Sequence, residues 1–263
     1  MSSLTLVLPA RCTPDSVALE RAARRIGWRV ERVRNWATIE SLRGSAVAVH
    51  QEIVIARTVA EALGIALLAA PADWLVRLPE DLRRRALGAT TVGGLRRHTF
   101  PLFVKDATQK RIPARVYRSH REVAREEGAT PELVVLTSEP VAWAIELRTF
   151  VLEGEMVALS PYMREGQLPV EGDEPWFATT EELEEARAFA REVLSDARVR
   201  LPPAVVLDIG RIPDRGWAVV EANPVWSSGL AGCEAERILP VLRRACVPAD
   251  GVPEHDRPWV LDA

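Results

Sequence analysis

Val205-Val206-Leu207-Asp208-Ile209-Gly210, the turn signal Pro213-Asp214-Arg215-Gly216, and Trp217-Ala218-Val219-Val220-Glu221-Ala222-Asn223-Pro224 decide how this chain is read. Two β-branched, apolar runs flanking a turn predict adjacent antiparallel strands. Each run carries acidic or amide side chains where a packed strand favours more Val or Ile. Glu221 and Asn223 are two apart, so the period of a strand puts them on one face. A two-residue loop at Asp214-Arg215 sets Asp208 opposite Glu221, and one at Arg215-Gly216 sets it opposite Asn223. An odd loop would turn Asp208 to the other face, so the reading requires an even one. Two carboxylates and an amide oxygen on one face form an all-oxygen site suited to Mg²⁺ beside phosphates. The bland alternative is a pair of acidic residues on a solvated hairpin face. The apolar runs Val205–Leu207 and Val219-Val220, which read as buried on both faces, weigh against it.

The pattern D-x-G, a short hairpin, then E-x-N-P resembles the metal-binding end of the ATP-grasp superfamily. Those enzymes couple ATP to formation of an amide, peptide or thioester bond through an acyl-phosphate. Upstream segments extend the resemblance in the same order. Phe100-Pro101-Leu102-Phe103-Val104-Lys105 is similar to the strand whose lysine reaches the ATP phosphates. Glu132 to Val141 resembles the segment lining the adenine, with Ser138, Glu139 and Val141 around Pro140. Pro140 biases Glu139 to an extended backbone, which leaves main-chain groups for the adenine edge. Ala144 to Leu152 alternates as a strand, turns at Glu153-Gly154, and continues into a second strand from Met156 to Ser160. Glu146 and Arg148 share one face of it, and E-x-R here resembles the smaller bacterial and phage branches of the superfamily.

Length and composition agree with that resemblance. A chain of 263 residues exceeds the usual single domain, so one large or two small domains are expected. Hydrophobic content of 48% with 27% charged residues is ordinary for a soluble globular protein. A net charge of −3 gives no electrostatic reason to expect nucleic acid as a partner. Apolar stretches such as Ile65 to Pro71 are too short to cross a bilayer, and Leu4 to Leu8 is too short for a signal-peptide core. Neither a membrane nor a secretory address is therefore expected. Cys12, Cys233 and Cys246 lack metal spacing and suit a reducing cytoplasm.

The first 78 residues read as a Rossmann-like α/β unit, and 79–263 as the two-lobed ATP-grasp domain of an α/β (α+β) fold. Strands are predicted over Leu4–Leu8, Trp28–Val33, Ala46–His50 and Ile65–Ala69, with helices from Pro14 to about Ile26 and from Ile53 to Leu63. Their alternation implies parallel pairing of all four strands. No G-x-G-x-x-G follows the first strand, so no dinucleotide is assigned. A connector with a helix after Pro79 and a polar link over Gly88 to Gly94 lead into the Lys105 strand. Asp106 to Arg118 departs from the family pattern, having no glycine where many relatives fold a glycine-rich loop over the phosphates. Lys110, Arg111 and Arg115 either replace those backbone donors or form a solvated basic loop.

Tyr162 to Trp176 reads as a long loop that carries Arg164, either a substrate contact or a surface residue. Thr180 to Ser195 is a helix with an N-terminal cap at Thr179 and an apolar stripe. Ser227 and Ser228 either border the second-substrate pocket or cap a helix over about Gly232 to Arg244. The histidines share no motif, and the eight tryptophans are too scattered for a stacking platform.

The resemblance implies ATP and Mg²⁺ as cofactors. Asp208, Glu221 and Asn223 would hold the metal, and Lys105, Lys110, Ser138, Glu139, Val141 and Glu146 the nucleotide. Arg148, with Lys105, would stabilise the transferring phosphoryl group. Charge removal at Asp208 or Glu221 is expected to spare the fold, because only the metal needs it. The function implied is an ADP-forming carboxylate–amine ligase acting on small-molecule or peptide substrates. The alternatives are an ATP-grasp small-molecule kinase and a non-catalytic nucleotide-binding module, and a homodimer stays open.

Overall fold

The computed structural model describes residues 4–107, 111–168 and 178–261, so Lys110 lies outside the described residues. The chain runs β1 (Thr5–Pro9), α1 (Pro14–Arg25), β2 (Arg29–Val33), α2 (Trp36–Glu40), β3 (Val47–Val49), α3 (Ile53–Leu63), β4 (Ile65–Leu67), α4 (Trp74–Arg77) and α5 (Glu80–Arg83). It continues with β5 (Leu87–Thr91), β6 (Leu102–Asp106), β7 (Arg115–Tyr117), α6 (His120–Val123), β8 (Val134–Ser138), β9 (Ile145–Leu152) and β10 (Glu155–Arg164). Last come α7 (Thr180–Ser195), β11 (Ala204–Ile212), β12 (Gly216–Asn223), α8 (Ala235–Arg244) and β13 (Cys246–Pro248).

The N-terminal unit begins as the sequence predicts. Thr13 caps α1, its Oγ1 accepting from the Ser16 N–H at 3.1 Å while Ser16 Oγ accepts from the Thr13 N–H at 2.9 Å. Pro14, at the first helical position, needs no partner for a missing N–H. β1, β2 and β3 form a parallel sheet in the order β2-β1-β3. The fourth strand is a correction: β4 does not join this sheet but pairs antiparallel with β13 from the far end of the chain. A three-residue strand has too few ladder bonds to dictate its partner, and burial of α8 decides instead. Ile238, Leu239 and Leu242 of α8 lie in one core with Leu6, Leu19, Val49 and Val59, and β13 follows α8 directly.

Two antiparallel four-stranded sheets carry the rest, ordered β5-β8-β6-β7 and β10-β9-β11-β12. In the second, alternation separates the faces. Ile145, Leu147, Val151, Val205, Leu207 and Ile209 pack on α7 through Ala186, Phe189, Ala190 and Val193. Phe150 and Val206 turn the other way, into the core shared with α8 and the N-terminal unit. Further along that same face the residues become charged: Arg148 lies opposite Asp208, and Glu146 opposite Gly210.

Several expectations need correcting. The link over Gly88 to Gly94 contains a strand, β5, whose Thr90 and Thr91 suit the pleat although Gly88 obscures the pattern. Within the expected loop Asp106 to Arg118, β7 adds an edge strand to β6. β10 extends through Tyr162 to Arg164, where a loop is predicted, because it stays paired with β9 throughout that length. The key hairpin has a three-residue loop, Pro213 to Arg215, closed by Ile212 opposite Gly216. That odd loop does not misplace Asp208. A β-bulge at Val220 adds one residue to β12, so Ile209 faces Val219 while Asp208 faces Glu221.

Candidate active site

The charged stretch of the β9–β11 face forms the floor of the site. Arg148 grips Asp208 with two bonds, Nε to Oδ1 at 2.9 Å and Nη2 to Oδ2 at 2.7 Å, and both side chains are at most 7% exposed. Its Nη1 donates to the Gly229 carbonyl at 3.1 Å, and the Tyr162 ring lies over the guanidinium at 4.1 Å. Tyr162 is the extra residue of a second bulge, in β10 between Pro161 and Met163. A bulge re-aims side chains next to a site, and here the two outer strands each use one toward the same arginine–aspartate pair.

Asn223 joins the two carboxylates, its Nδ2 donating to Asp208 Oδ2 at 2.9 Å and to Glu221 Oε1 at 2.7 Å. The other Glu221 oxygen accepts from Lys105 Nζ at 2.7 Å. The structure thus gathers Asp208, Glu221 and Asn223 at one point and delivers Lys105 to it from the other sheet. Among the described residues no cluster of three His, Cys, Asp or Glu side chains suits a metal, so the donor set here is two carboxylates and one amide. That set fits a hard cation that completes its shell with phosphate and water oxygens. Turning over the Asn223 amide would present Oδ1 where Nδ2 now lies. Asp208 also has a use apart from any metal. It is the buried partner of Arg148, which corrects the expectation that removing its charge spares the fold.

Lys105, Ser138, Glu139, Val141 and Glu146 line a cavity of about 290 Å³ between the two sheets. Its walls also include Phe103, Leu136 and Met163, so apolar side chains accompany the polar ones. The Glu139 carboxylate accepts from the Ala86 N–H at 3.0 Å and from Arg215 at 2.6 Å, while its backbone N–H donates to the Ala86 carbonyl at 3.1 Å and its carbonyl accepts from Ser138 Oγ at 2.7 Å. A larger depression of about 1190 Å³ borders Trp28, Leu63 and Pro240. None of the candidate site residues lines it, although Leu152 at the far end of β9 does, and its Arg244 is already paired with Glu153 and Asp256.

Sequence reading missed three residues of this site. Arg85 is buried at the cavity edge, stacks over Trp143 at 4.9 Å, and donates to the carbonyls of Val219 at 2.6 Å and Val220 at 2.8 Å. Burial lowers it to about 10, opposed by the fields of Glu146 and Glu221, so it stays charged at neutral pH. Trp143 accounts for the glycine of the D-x-G pattern: a Cβ on Gly210 would lie 2.6 Å from its ring. Tyr162, the third, carried no signal because its strand was read as loop. Backbone-directed forks and ring stacking leave no spacing in a sequence.

Other candidates are engaged elsewhere. Arg111 pairs with Asp106 and Arg115 with Glu126, the latter also lying over Tyr117. Arg164 pairs with Glu182, the capping-box residue of α7, at 2.8 Å. Ser228 donates to the Pro224 carbonyl at 2.7 Å, and Glu234, with no side-chain cap bond, precedes α8, so neither serine caps that helix. Ser227, Ser228 and Gly229 instead form the turn that Arg148 holds through the Gly229 carbonyl.

Burial raises the Glu146 carboxyl to about 7, aided by Asp208 and Glu221 and opposed by Arg85 and Arg148. Unfolded, the same group titrates near 4.5. The native state therefore holds the extra proton between these values, and its stability falls as pH rises through that window. Glu146→Gln is expected to remove this loss, on the order of 3 kcal/mol, and to melt above the parent at pH 8 but not at pH 5. Parallel melting curves at both pH values would contradict it.

The two-sheet clamp with its charged floor is the architecture of an ATP-grasp domain. Residues 82–241 match the model of an ATP-grasp domain family, the second family of its clade, and the chain belongs to that family. No curated protein matches it. Among solved structures, the L-amino acid ligase from Bacillus licheniformis is similar with a TM-score of 0.58 at 12% identity, covering 95% of this chain and 76% of that one. The N5-carboxyaminoimidazole synthase from Aspergillus clavatus, in complex with ADP and 5-aminoimidazole ribonucleotide, gives 0.57 at 12%, covering 94% and 78%. D-alanine–D-alanine ligase from Bacillus anthracis gives 0.54 at 10%, covering 92% and 96%. At such identities the likeness is one of fold. No helix among the described residues is long and apolar enough to cross a membrane.

Proposed function

We propose that this protein is an ATP-dependent carboxylate–amine ligase that works through an acyl-phosphate and releases ADP and phosphate. The observation that carries the reading is the hydrogen-bonded convergence of Arg148, Asp208 and Asn223 on Glu221 and Lys105, the last two of which line the cavity. The backbone of Ser138 to Val141 would hold adenine between Phe103, Leu136 and Met163, with Glu146 beside the phosphates. Asp208, Glu221 and Asn223 would hold Mg²⁺, which would supply positive charge to neutralise the phosphates.

Lys105 would turn from Glu221 to a phosphate oxygen, a short movement for a flexible side chain whose partner then has the metal instead. Arg148 is held by Asp208, Gly229 and Tyr162, yet keeps one N–H on each terminal nitrogen for charge that develops in transfer. A carboxylate oxygen attacks the γ-phosphorus and ADP leaves; the amine then attacks the acyl carbon and phosphate leaves. The turn Ser227–Gly229, tied to Arg148, would border the acceptor.

The test is trapping. Protein, Mg²⁺, ATP and a panel of carboxylic acids, with hydroxylamine in place of the amine, should yield a hydroxamate with one ADP per product. A stable phosphate ester would instead establish a small-molecule kinase. AMP with pyrophosphate would exclude both, since it means adenylation.

A further inference from the structure

We infer that Arg85 is a positioning residue that holds the bulged register of β12 and so keeps Glu221 beside Asp208. In a regular strand, successive carbonyls point to opposite sides. Arg85 bonds two successive ones, of Val219 and Val220, with the two prongs of one guanidinium. Only a strand in which one peptide has turned over presents both to the same group, and the extra residue of the bulge is Val220. Without that residue's displacement, the three-residue loop would continue in phase, Asp208 would face Val220, and Glu221 would leave the site face. Among the described residues β12 is an edge strand, so its outward carbonyls are available to a side chain.

The arginine itself is fixed from several directions. Arg84 takes a left-handed backbone (φ 48°) between α5 and β5, and its side chain bonds the Arg215 carbonyl in the hairpin loop. Arg85 also donates to the Arg83 carbonyl at 3.0 Å and rests on Trp143, which occupies the space that Gly210 leaves free. The arginine run before β5 therefore ties the start of one clamp sheet to the metal-bearing hairpin of the other.

This inference rests on the metal reading above, and the experiment separates the two. Full-length protein with Arg85→Met or Arg85→Lys is titrated calorimetrically with AMP-PNP, a non-hydrolysable ATP analogue, in excess Mg²⁺ and in EDTA. Amide hydrogen exchange is followed over 216–223. Arg85→Met should weaken binding in Mg²⁺ about tenfold or more while changing binding in EDTA by less than about twofold. Exchange at 219–221 should accelerate. Arg85→Lys retains the charge and a donor, should fold, and should lose less. Equal weakening with and without Mg²⁺ would make Arg85 a direct phosphate contact and overturn the positioning role. So would unchanged exchange at 219–221 in both variants. Parent protein that binds no tighter in Mg²⁺ than in EDTA would overturn the metal reading, and the register claim would then stand or fall on hydrogen exchange.

Discussion

Arg148→Ala is expected to destabilise the protein by about 3–5 kcal/mol, because it leaves the Asp208 carboxylate buried without a partner. Burial drives the Asp208 carboxyl upward, with the Glu221 charge adding to it, and the arginine is the strongest influence in the other direction. Burial also acts against the charge on Arg148, but Asp208 more than offsets it and holds the guanidinium above its ordinary value. Each charge is therefore tolerated because of the other. Urea unfolding of Arg148→Ala beside Arg148→Met/Asp208→Asn would show it, with the double variant recovering much of the loss. A single-variant effect below about 1 kcal/mol would place the pair in the range of exposed ion pairs. Hydroxamate trapping by Arg148→Ala should also fall about a hundredfold, since in the proposed mechanism the arginine acts on charge that appears during transfer.

Glu221→Gln should have the opposite profile, with little change in melting temperature and a loss of ATP turnover on the order of a hundredfold or more. Glu221 lies at the rim with a side chain 32% exposed, so the fold depends little on its charge. Under the proposed mechanism turnover depends on it, because gathering a dication and a polyphosphate requires a second carboxylate beside Asp208. Steady-state ADP release with a carboxylate found by trapping, alongside thermal denaturation, measures both. Parent-level turnover in Glu221→Gln would remove the metal site from the mechanism.

How much of this was legible depended on the kind of interaction. Val205–Leu207 and Val219-Val220 announced buried strands, and the two-residue spacing of Glu221 and Asn223 fixed their shared face. The capped starts of α1 and α7 were equally plain, because caps use particular side chains at particular offsets. The bulge at Val220 was not legible: two adjacent valines look the same in register or out of it. The loop was read as even and is odd, and the bulge compensates. Arg85 carried no signal, because its partners are carbonyls, which every residue has. β5 was obscured by Gly88, and the pairing of β4 with β13 could not be read from segments three residues long.

That last pairing bears on how the protein is made. β4 leaves the ribosome early, but its partner β13 and the covering helix α8 are synthesised only after both clamp sheets. Trp226, whose indole N–H bonds the Leu68 carbonyl at 2.9 Å, arrives equally late. Until then the apolar side of the nascent N-terminal unit, including Val49, Val59 and Leu67, has no cover. The unit is therefore expected to wait unfinished while the nucleotide clamp is translated, exposing apolar surface of the kind that chaperones shield. Expressed alone, residues 1–78 should aggregate, and co-expression of 79–263 in trans should rescue their solubility by supplying the missing strand and helix.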